Sequence, residues 1–595
     1  MREHWRAFRL MVSFMFRADR KLAWTTVLLT PINYAAWPAV ALGIKFLGDG
    51  TVQQQPDKMI VGVLILSLAM GLAWRLESVT YRLMISLAES TTVYGDEQVI
   101  QVVGSIPGLE HHERPDYLDT LSLVRSEVDW YQSAVGLLIG SLGQATLIIT
   151  TLGLLSAIHP VLLLLPLFGI PSLLIMLRSQ KRMEQVQRET AEPTRLGAHL
   201  FNLAVSAGPA KEIRIFNLRE ELLNRFRLQL DRTHAPLLRV ETTNARMGAV
   251  GKMILGVGFG GTVLFVAWQA TLGRATAGDV LLAIYLALGV TTQIEGAWWH
   301  IRWGRRNVVA AGRLLWLLDY AQEQQLRHPK RARRVPNKID NGLLIDDVSF
   351  AYPGTEGEVL SDIRLEIPAG STVALVGDNG AGKTTLVKLL CRFYQPTAGR
   401  ILVDGTDLAE FDLSEWWKRT STAFEDFCKF EFIARESVGV GSLPRINDPE
   451  AVAAAMDKAG AHDLTRSWPS GLETQLGRDW NGGIELSMGQ WQKVALSRAV
   501  MRDHPLLLIL DEPTASLDAE TEYALFQRFR QAAGANRERG SITILVSHRF
   551  STVRMADLIA VIDQGRLQEI GSHDELMRVN GLYANLFSIQ ARSYR

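Results

Sequence analysis

The chain has 595 residues and a formal net charge of +1, with 63 Lys and Arg against 62 Asp and Glu. This length exceeds the roughly 250–300 residues at which single cores stop growing, so more than one domain is expected. The near-neutral charge gives no electrostatic reason to expect nucleic acid as a partner. The two cysteines, Cys391 and Cys428, are too few for a disulfide framework and suit a reducing compartment.

Long apolar runs predict a transmembrane domain over residues 1–320. A helix needs about 20 predominantly apolar residues to cross a bilayer. Six segments meet this requirement: 22–46, 59–79, 133–157, 161–177, 249–272 and 280–301. The basic N-terminus leads into an apolar run longer than a signal-peptide core, which predicts a retained membrane anchor. Lys and Arg concentrate between the fourth and fifth spans, so both termini are expected on the inner side.

The two inner connections, residues 80–130 and 178–247, have a helical pattern and many charges. The membrane helices are therefore expected to continue about 30 Å or more into the cytosol, although a coiled-coil tether is the alternative. Turns interrupt each arm, at 104–115 and 207–209. Short elements at the far ends, Asp116–Thr120 and Lys211–Phe216, are expected to touch another domain.

Four ionisable residues lie inside or near the spans: Arg75, Glu77, Lys252 and Glu295. Charge within a bilayer is costly, so such residues either face a protein interior or water cavity or snorkel to the interface. The sequence leaves open whether they line a cargo site.

A charged, irregular linker is predicted over residues 321–342, followed by an α/β domain over residues 343–595. Its β-rich opening covers 343–352 and 359–367. A strand at 373–376 then enters a glycine-rich turn that delivers Lys383 and Thr384 to a helix, with the spacing GxxxxGK[ST]. Such a turn points backbone N–H groups at an anion, the lysine reaches β/γ-phosphates, and the threonine hydroxyl binds Mg²⁺. The predicted phosphate contacts are Gly377, Asp378, Asn379, Gly380, Ala381, Gly382, Lys383, Thr384 and Thr385.

Two further strands are predicted to carry catalytic groups. The apolar run 506–510 ends in Asp511 and Glu512, where the first acid can hold Mg²⁺ with its water and the second can deprotonate the attacking water. The run 542–546 ends in Ser547 and His548, which places an imidazole near a γ-phosphate.

The segment 486–490, Leu-Ser-Met-Gly-Gln, is similar to the LSGGQ signature of ATP-binding cassette (ABC) proteins. With the membrane spans, it makes the whole chain resemble an ABC exporter half-transporter. The resemblance implies an all-α six-helix transmembrane domain followed by an α/β P-loop nucleotide-binding domain. It also implies adenine stacking by Tyr352, a D-loop containing Asp518, and a switch role for His548. In the family two cassettes face head to tail, and the signature, here Ser487, Gly489 and Gln490, contacts the partner's ATP.

Two positions depart from the family pattern. Met488 replaces the usual glycine of the signature, and Glu425 replaces a glutamine that serves Mg²⁺, water and coupling to the membrane domain. Glu425 still offers an oxygen ligand to ATP and Mg²⁺, so altered coupling is expected rather than loss of function. A homodimer is expected, and a heterodimer stays open.

The resemblance implies an ATP hydrolase that drives export of a peptide, lipid or hydrophobic small molecule. ATP and Mg²⁺ are the expected cofactors, with Lys383, Glu512 and His548 as catalytic residues. The expected location is a bacterial inner membrane with the ATP-binding domain in the cytoplasm. An importer of a siderophore-like or cobalamin-like compound and an ATP-gated sensor are alternatives, while the spans count against a soluble cassette protein.

Overall fold

The computed structural model describes residues 2–126, 130–326, 332–355, 357–513, 527–528, 539–547 and 549–593. Internal contacts divide the chain into two compact units, Met1–Gly104 with Ser122–Asp319, and Ser105–Leu121 with Tyr320–Arg595. The second unit thus combines the C-terminal half with residues 105–121, here called the docking segment. The predicted domain bounds, 1–320 and 343–595, place this segment in the transmembrane domain instead.

The chain up to residue 326 is helical. Its helices are α1 (Arg2–Ala18), α2 (Arg20–Val52), α3 (Pro56–Ser105), α4 (Pro115–Ser126), α5 (Trp130–Ile158), α6 (Ile170–Glu189), α7 (Ala191–Val205), α8 (Ala210–Ile215), α9 (Arg219–Thr271) and α10 (Ala277–Leu326). Within the described ranges, six helical stretches are long and apolar enough to cross a membrane: α2, α3, α5, residues Pro160–Glu189, α9 and α10. These stretches coincide with the six predicted spans.

Close packing in the first unit depends on small residues. A Cβ at Gly43 of α2 would lie 2.7 Å from the backbone nitrogen of Leu66 in α3, and a Cβ at Gly62 would lie 2.5 Å from that of Leu47. Glycine at both positions therefore lets the two helix backbones approach, as is common where the surroundings are apolar.

Two details differ from the sequence expectation. The fourth span begins as a 3-10 helix, Pro160–Gly169, before α6 continues it. Pro160 stands in the first turn of this stretch, where proline is tolerated, and Pro166 lies inside it and removes one backbone donor. The predicted linker starts later than residue 321, because α10 extends to Leu326. The residues from Ala321 to Leu326 are good helix formers.

The second unit contains two sheets. Its strands are β1 (Gly342–Phe350), β2 (Leu360–Pro368), β3 (Thr372–Val376), β4 (Ala398–Val403), β5 (Thr406–Asp407), β6 (Thr420–Ala423), β7 (Leu507–Asp511), β8 (Ile542–Val546), β9 (Leu558–Asp563) and β10 (Arg566–Gly571). One sheet has the order β2-β1-β4-β5, and the other has the order β10-β9-β3-β8-β7-β6. The helices are α11 (Lys383–Leu390), α12 (Leu413–Arg419), α13 (Ala434–Gly439), α14 (Pro449–Lys458), α15 (His462–Ser467), α16 (Met488–Ala499), α17 (Phe550–Val553), α18 (His573–Val579) and α19 (Leu582–Ser593).

The centre of the larger sheet is parallel, with β8 between β3 and β7. All five residues of β8 are buried, as expected for a parallel strand covered on both faces. Parallel strands end at the same edge of their sheet, so the carboxyl ends of β3 and β7 lie two strand positions apart. Ligands of open α/β sheets bind at this edge.

Candidate nucleotide-binding site

A glycine-rich loop connects β3 to α11. Gly380 and Gly382 have φ angles of +83° and +104°, in the region that favours glycine. A Cβ at Gly382 would also lie 2.5 Å from a methyl carbon of Leu360. The loop therefore needs glycine for its turn, and α11 begins at Lys383 directly behind it. The first N–H groups of that helix have no partner within the helix, which suits an anion.

Lys383 binds the backbone of the phosphate loop. Its side chain is buried, and the ammonium Nζ donates hydrogen bonds to the carbonyl oxygens of Gly377 at 2.8 Å and Asp378 at 2.9 Å. Burial lowers the pKa of this ammonium, while the nearby Glu512 carboxylate opposes the shift. A positive charge held by two neutral carbonyls can turn to a phosphate, which is a stronger partner.

A cavity of about 810 Å³ opens above the loop. The predicted residues that line it are Gly377, Asp378, Asn379, Gly380, Gly382, Lys383, Thr384, Thr385, Glu425 and Glu512. Ala381 is part of the loop, but its side chain is buried. Val359, which the sequence pattern did not single out, also lines the cavity. The structure therefore brings the loop, Glu425 and Glu512 to one site from three separate parts of the chain.

Asp511 is 1% exposed, and within the described chain neither carboxylate oxygen accepts a hydrogen bond of full geometry, although the Thr384 hydroxyl is close enough to lower the pKa of this carboxyl. Burial raises the pKa of this carboxyl to about 6, with Glu425 and Glu512 adding to the shift. Buried polar groups ordinarily have partners, so this pair of bare oxygens fits a cation with its bound water. Oxygen donors from Asp511, Thr384 and Glu425 are the ligand type that Mg²⁺ prefers.

Glu512 has a strained backbone with φ +44°, which costs a non-glycine residue about 1–3 kcal/mol. Its N–H donates to the carbonyl oxygen of Val546 at 3.0 Å, and its own carbonyl accepts from the amide Nε2 of Gln492 at 3.2 Å. These two bonds hold the residue in a conformation that turns its side chain to the cavity. No local sequence signal identifies Gln492.

Tyr352 lies beside the cavity. Its hydroxyl is 3.1 Å from that of Thr385, and the ammonium of Lys388 lies 5.2 Å from its ring centre. Lys388 also contacts the docking segment, where its Nζ is 3.9 Å from a carboxylate oxygen of Glu113. The same oxygen accepts a hydrogen bond from the hydroxyl of Tyr394. This chain of contacts links the predicted adenine-stacking ring to residues 105–121, and sequence reasoning did not find it.

Residues of the docking segment that precede the predicted element 116–120 also contact the cassette. The N–H of Leu109 donates to the carbonyl oxygen of Phe393 at 3.0 Å, and Glu113 ends a short 3-10 helix, Glu110–Glu113. Within the predicted element, Tyr117 packs on Tyr320, with ring centres 5.4 Å apart. The other predicted coupling element, Lys211–Phe216, is in the first unit. There Ile215 and Phe216 are 77% and 66% exposed.

The signature residues lie at the start of α16. The Ser487 hydroxyl accepts from the N–H of Gln490, and the Gln490 side chain accepts from the N–H of Ser487. Ser487, Gly489 and Gln490 do not line the described cavity, and Met488 is 58% exposed. This exposure leaves the signature accessible to another chain. His548 and the D-loop residue Asp518 lie outside the described residues.

The four predicted ionisable residues of the spans separate into two groups. Lys252 and Glu295 form an ion pair of 2.7 Å between α9 and α10. Arg75 and Glu77 are both exposed on α3, and Glu77 lines a cavity in the first unit.

Comparisons with known proteins agree with this geometry. A family model described as ABC transporter matches residues 360–515. An ATP-dependent lipid A-core flippase of Albidiferax ferrireducens is 32% identical over 69% of this chain and 68% of its own. The protein of the same name from Methylococcus capsulatus is 30% identical over 74% of this chain and 71% of its own. A solved bacterial Atm1-family ABC exporter with ATP bound shares the fold, with a TM-score of 0.74 and 23% identity over 96% of this chain and 98% of that chain.

Proposed function

This chain belongs to the ABC transporter family, and from that premise we propose that it is one half of a dimeric exporter that moves a lipid-like amphiphile out of the cytoplasm. Its ATP-binding cassette makes it an ATP hydrolase coupled to transport. The observation that carries the proposal is the position of Glu512, which follows the buried Asp511 and lines the same cavity as the phosphate loop. The names of the two relatives support a lipid-like cargo.

In the proposed reaction, the backbone N–H groups of the loop and Lys383 bind the β- and γ-phosphates of ATP. Glu512 takes a proton from the water that attacks the γ-phosphate, and its hydrogen-bonded backbone keeps the carboxylate in place. Tyr352 stacks on the adenine. Mg²⁺, held by Thr384 and Asp511 with Glu425 nearby, would neutralise charge on the phosphates. His548 is proposed to contact the γ-phosphate.

The second half of each nucleotide site is proposed to come from a second copy of this chain, through Ser487 and Gly489. The exposure of the signature supports this arrangement. Asp518 is proposed to act at the same interface. ATP then closes two cassettes, the docking segment moves with them, and the spans change their access from the inner to the outer side. We place the cassettes in the cytoplasm of a bacterium, because Lys and Arg concentrate in the inner connections.

The test is the Mg²⁺-dependent ATPase activity of the purified chain in lipid nanodiscs. We expect wild-type turnover and at least about a hundredfold loss in Glu512→Gln, the range that general-base removal covers. The matched control is Glu366→Gln, because Glu366 is an exposed side chain of β2 in the same domain. The Glu512 variant should still bind ATP.

Wild-type turnover by the Glu512 variant would overturn the role of this residue. Negligible turnover by a wild-type chain that binds ATP would overturn the homodimer and point to a different partner half. Loss of activity in both variants would indicate a folding defect, which a thermal unfolding scan of the same samples identifies.

A further inference from the structure

A second cavity, of about 540 Å³, lies within the first unit, between α2, α3, α5 and α10. Its volume is in the range of small-molecule sites, about 300–1,000 Å³. Asn33 on α2 and Gln293 on α10 line it, and each is roughly 20 Å along its helix from residues 46 and 280, where the predicted spans end. The cavity therefore extends toward the middle of a hydrocarbon core about 30 Å thick.

The polar wall of this cavity is built from side-chain amides that are hydrogen-bonded to hydroxyls. The side-chain amide of Gln293 donates to the Thr151 hydroxyl at 2.8 Å, and that of Asn33 donates to the Thr80 hydroxyl at 3.2 Å. Asn33 is only 5% exposed, yet its Oδ1 accepts no hydrogen bond in the part of the chain that the structure describes. This oxygen has almost no accessible surface, so the wall offers a ligand hydrogen-bonded amides and not a free acceptor.

The wall also carries a negative charge. Among the described lining residues Glu77 is the charged side chain, and Lys and Arg do not occur. Two other acids of the spans have lysine partners, Asp279 with Lys45 at 2.6 Å and Glu295 with Lys252 at 2.7 Å. Glu77 forms no ion pair with any described residue. By the same count, Glu77 lies about 27 Å along α3 from residue 59, toward the inner edge of the core, and there its carboxylate gives this end of the cavity a negative charge.

Three aromatic side chains complete the wall: Tyr34, Trp37 and Tyr285. The face of an aromatic ring attracts cations, most strongly in Trp and Tyr. The carboxylate and the aromatic faces favour the same class of ligand, a cation.

We propose that this cavity binds a lipophilic organic cation, with Glu77 as its counter-ion. The proposal that a cation binds depends on the cavity alone. The further step, that the bound cation is exported, rests on the proposed function. The lining residues named above all belong to one chain.

The experiment compares two ions of nearly equal size and opposite charge, tetraphenylphosphonium and tetraphenylborate. Equilibrium binding of each radiolabelled ion is measured on the full chain in nanodiscs, with empty nanodiscs subtracted to remove partition into lipid. The variants are Glu77→Gln and the matched control Glu89→Gln, an exposed acid on the same helix α3. Basal Mg²⁺-ATPase of the same samples tests the proposed function separately.

We expect saturable binding of tetraphenylphosphonium and none of tetraphenylborate. Glu77→Gln should weaken cation binding by about tenfold or more, because it removes the negative charge that faces the ligand, and tenfold corresponds to roughly 1.4 kcal/mol. Glu89→Gln should bind like wild type. Equal binding of both ions, preference for the anion, or unchanged cation binding by Glu77→Gln would each overturn the proposal. A thermal unfolding scan of the Glu77 and Glu89 variants identifies any loss of binding that is caused by misfolding.

Discussion

Replacing Asp511 with asparagine should stabilise the Mg²⁺-free protein at neutral pH, although it should abolish ATP turnover. The carboxyl is buried, and burial raises its pKa from 3.8 to about 6, with Glu425 and Glu512 adding to the rise. The folded protein therefore binds this proton more tightly than the unfolded chain does. The stabilising contribution is fully present below pH 3.8 and is lost as the pH rises through about 6.

The size of the effect follows from the same shift. Each pKa unit is about 1.4 kcal/mol, so the rise corresponds to a cost of about 3 kcal/mol once the carboxylate is ionised. We expect Asp511→Asn to recover up to that amount at pH 7.5. For a domain of the cassette's size, about 2–4 °C in Tm accompanies each kcal/mol, so the upper bound is about 6–12 °C.

The assay is differential scanning calorimetry in nanodiscs with EDTA, following the transition that ATP shifts in the wild type. The matched control, Asp463→Asn, replaces a side chain that is 92% exposed and should change stability by less than about 0.5 kcal/mol. With Mg²⁺ and ATP the wild type should unfold at a higher temperature than Asp511→Asn, because the wild type alone gains the metal. An Asp511→Asn transition at or below the wild-type temperature in EDTA would refute the argument.

Three further predictions concern contacts around the cassette. Glu113→Gln should reduce the coupling of ATPase to cargo without lowering Tm by more than a few degrees, because it breaks a half-buried link to Lys388; the readout is the ratio of cargo-stimulated to basal turnover. Burial lowers the pKa of His111 to about 4, so the unfolded chain binds this proton first and stability falls as the pH drops below 6.5. Amide protection of residues 105–121, corrected for the intrinsic pH dependence of exchange, should be lower at pH 5 than at pH 7.5, and this difference should disappear in His111→Phe. Arg498→Leu should lower the free energy of unfolding by about 2–3 kcal/mol, since it removes hydrogen bonds to Ser437 and Cys428 and a stacked ring contact, and Arg498→Lys should restore only part. Chemical denaturation of both variants measures the difference.

Features coded by short stretches of sequence were predictable. The loop before α11 and the acids after β7 are local motifs, because glycine, lysine and carboxylates have few alternative reasons to occur at those spacings. Six spans were predictable for a similar reason, since each must be apolar over its own length.

Features that depend on distant contacts were not predictable. The hydrogen bond from Tyr394 to Glu113 joins residues 281 positions apart, and neither residue stands in a recognisable pattern. The same is true of Gln492, which supports Glu512 from α16, and of Asn33, whose unsatisfied oxygen is evident only once its neighbours are placed. The 3-10 start of the fourth span was not predicted, because its residues are as apolar as those of an α-helical span.

The attachment of the docking segment to the second unit also imposes an order on biosynthesis. Translation proceeds at about 5–20 residues per second, so Tyr394 leaves the ribosome roughly 15–55 s after Glu113. During that interval the first spans enter the membrane while the segment waits without its binding surface. Cassette mutations far from any membrane residue can therefore leave an N-terminal segment exposed to proteases and chaperones in the cell.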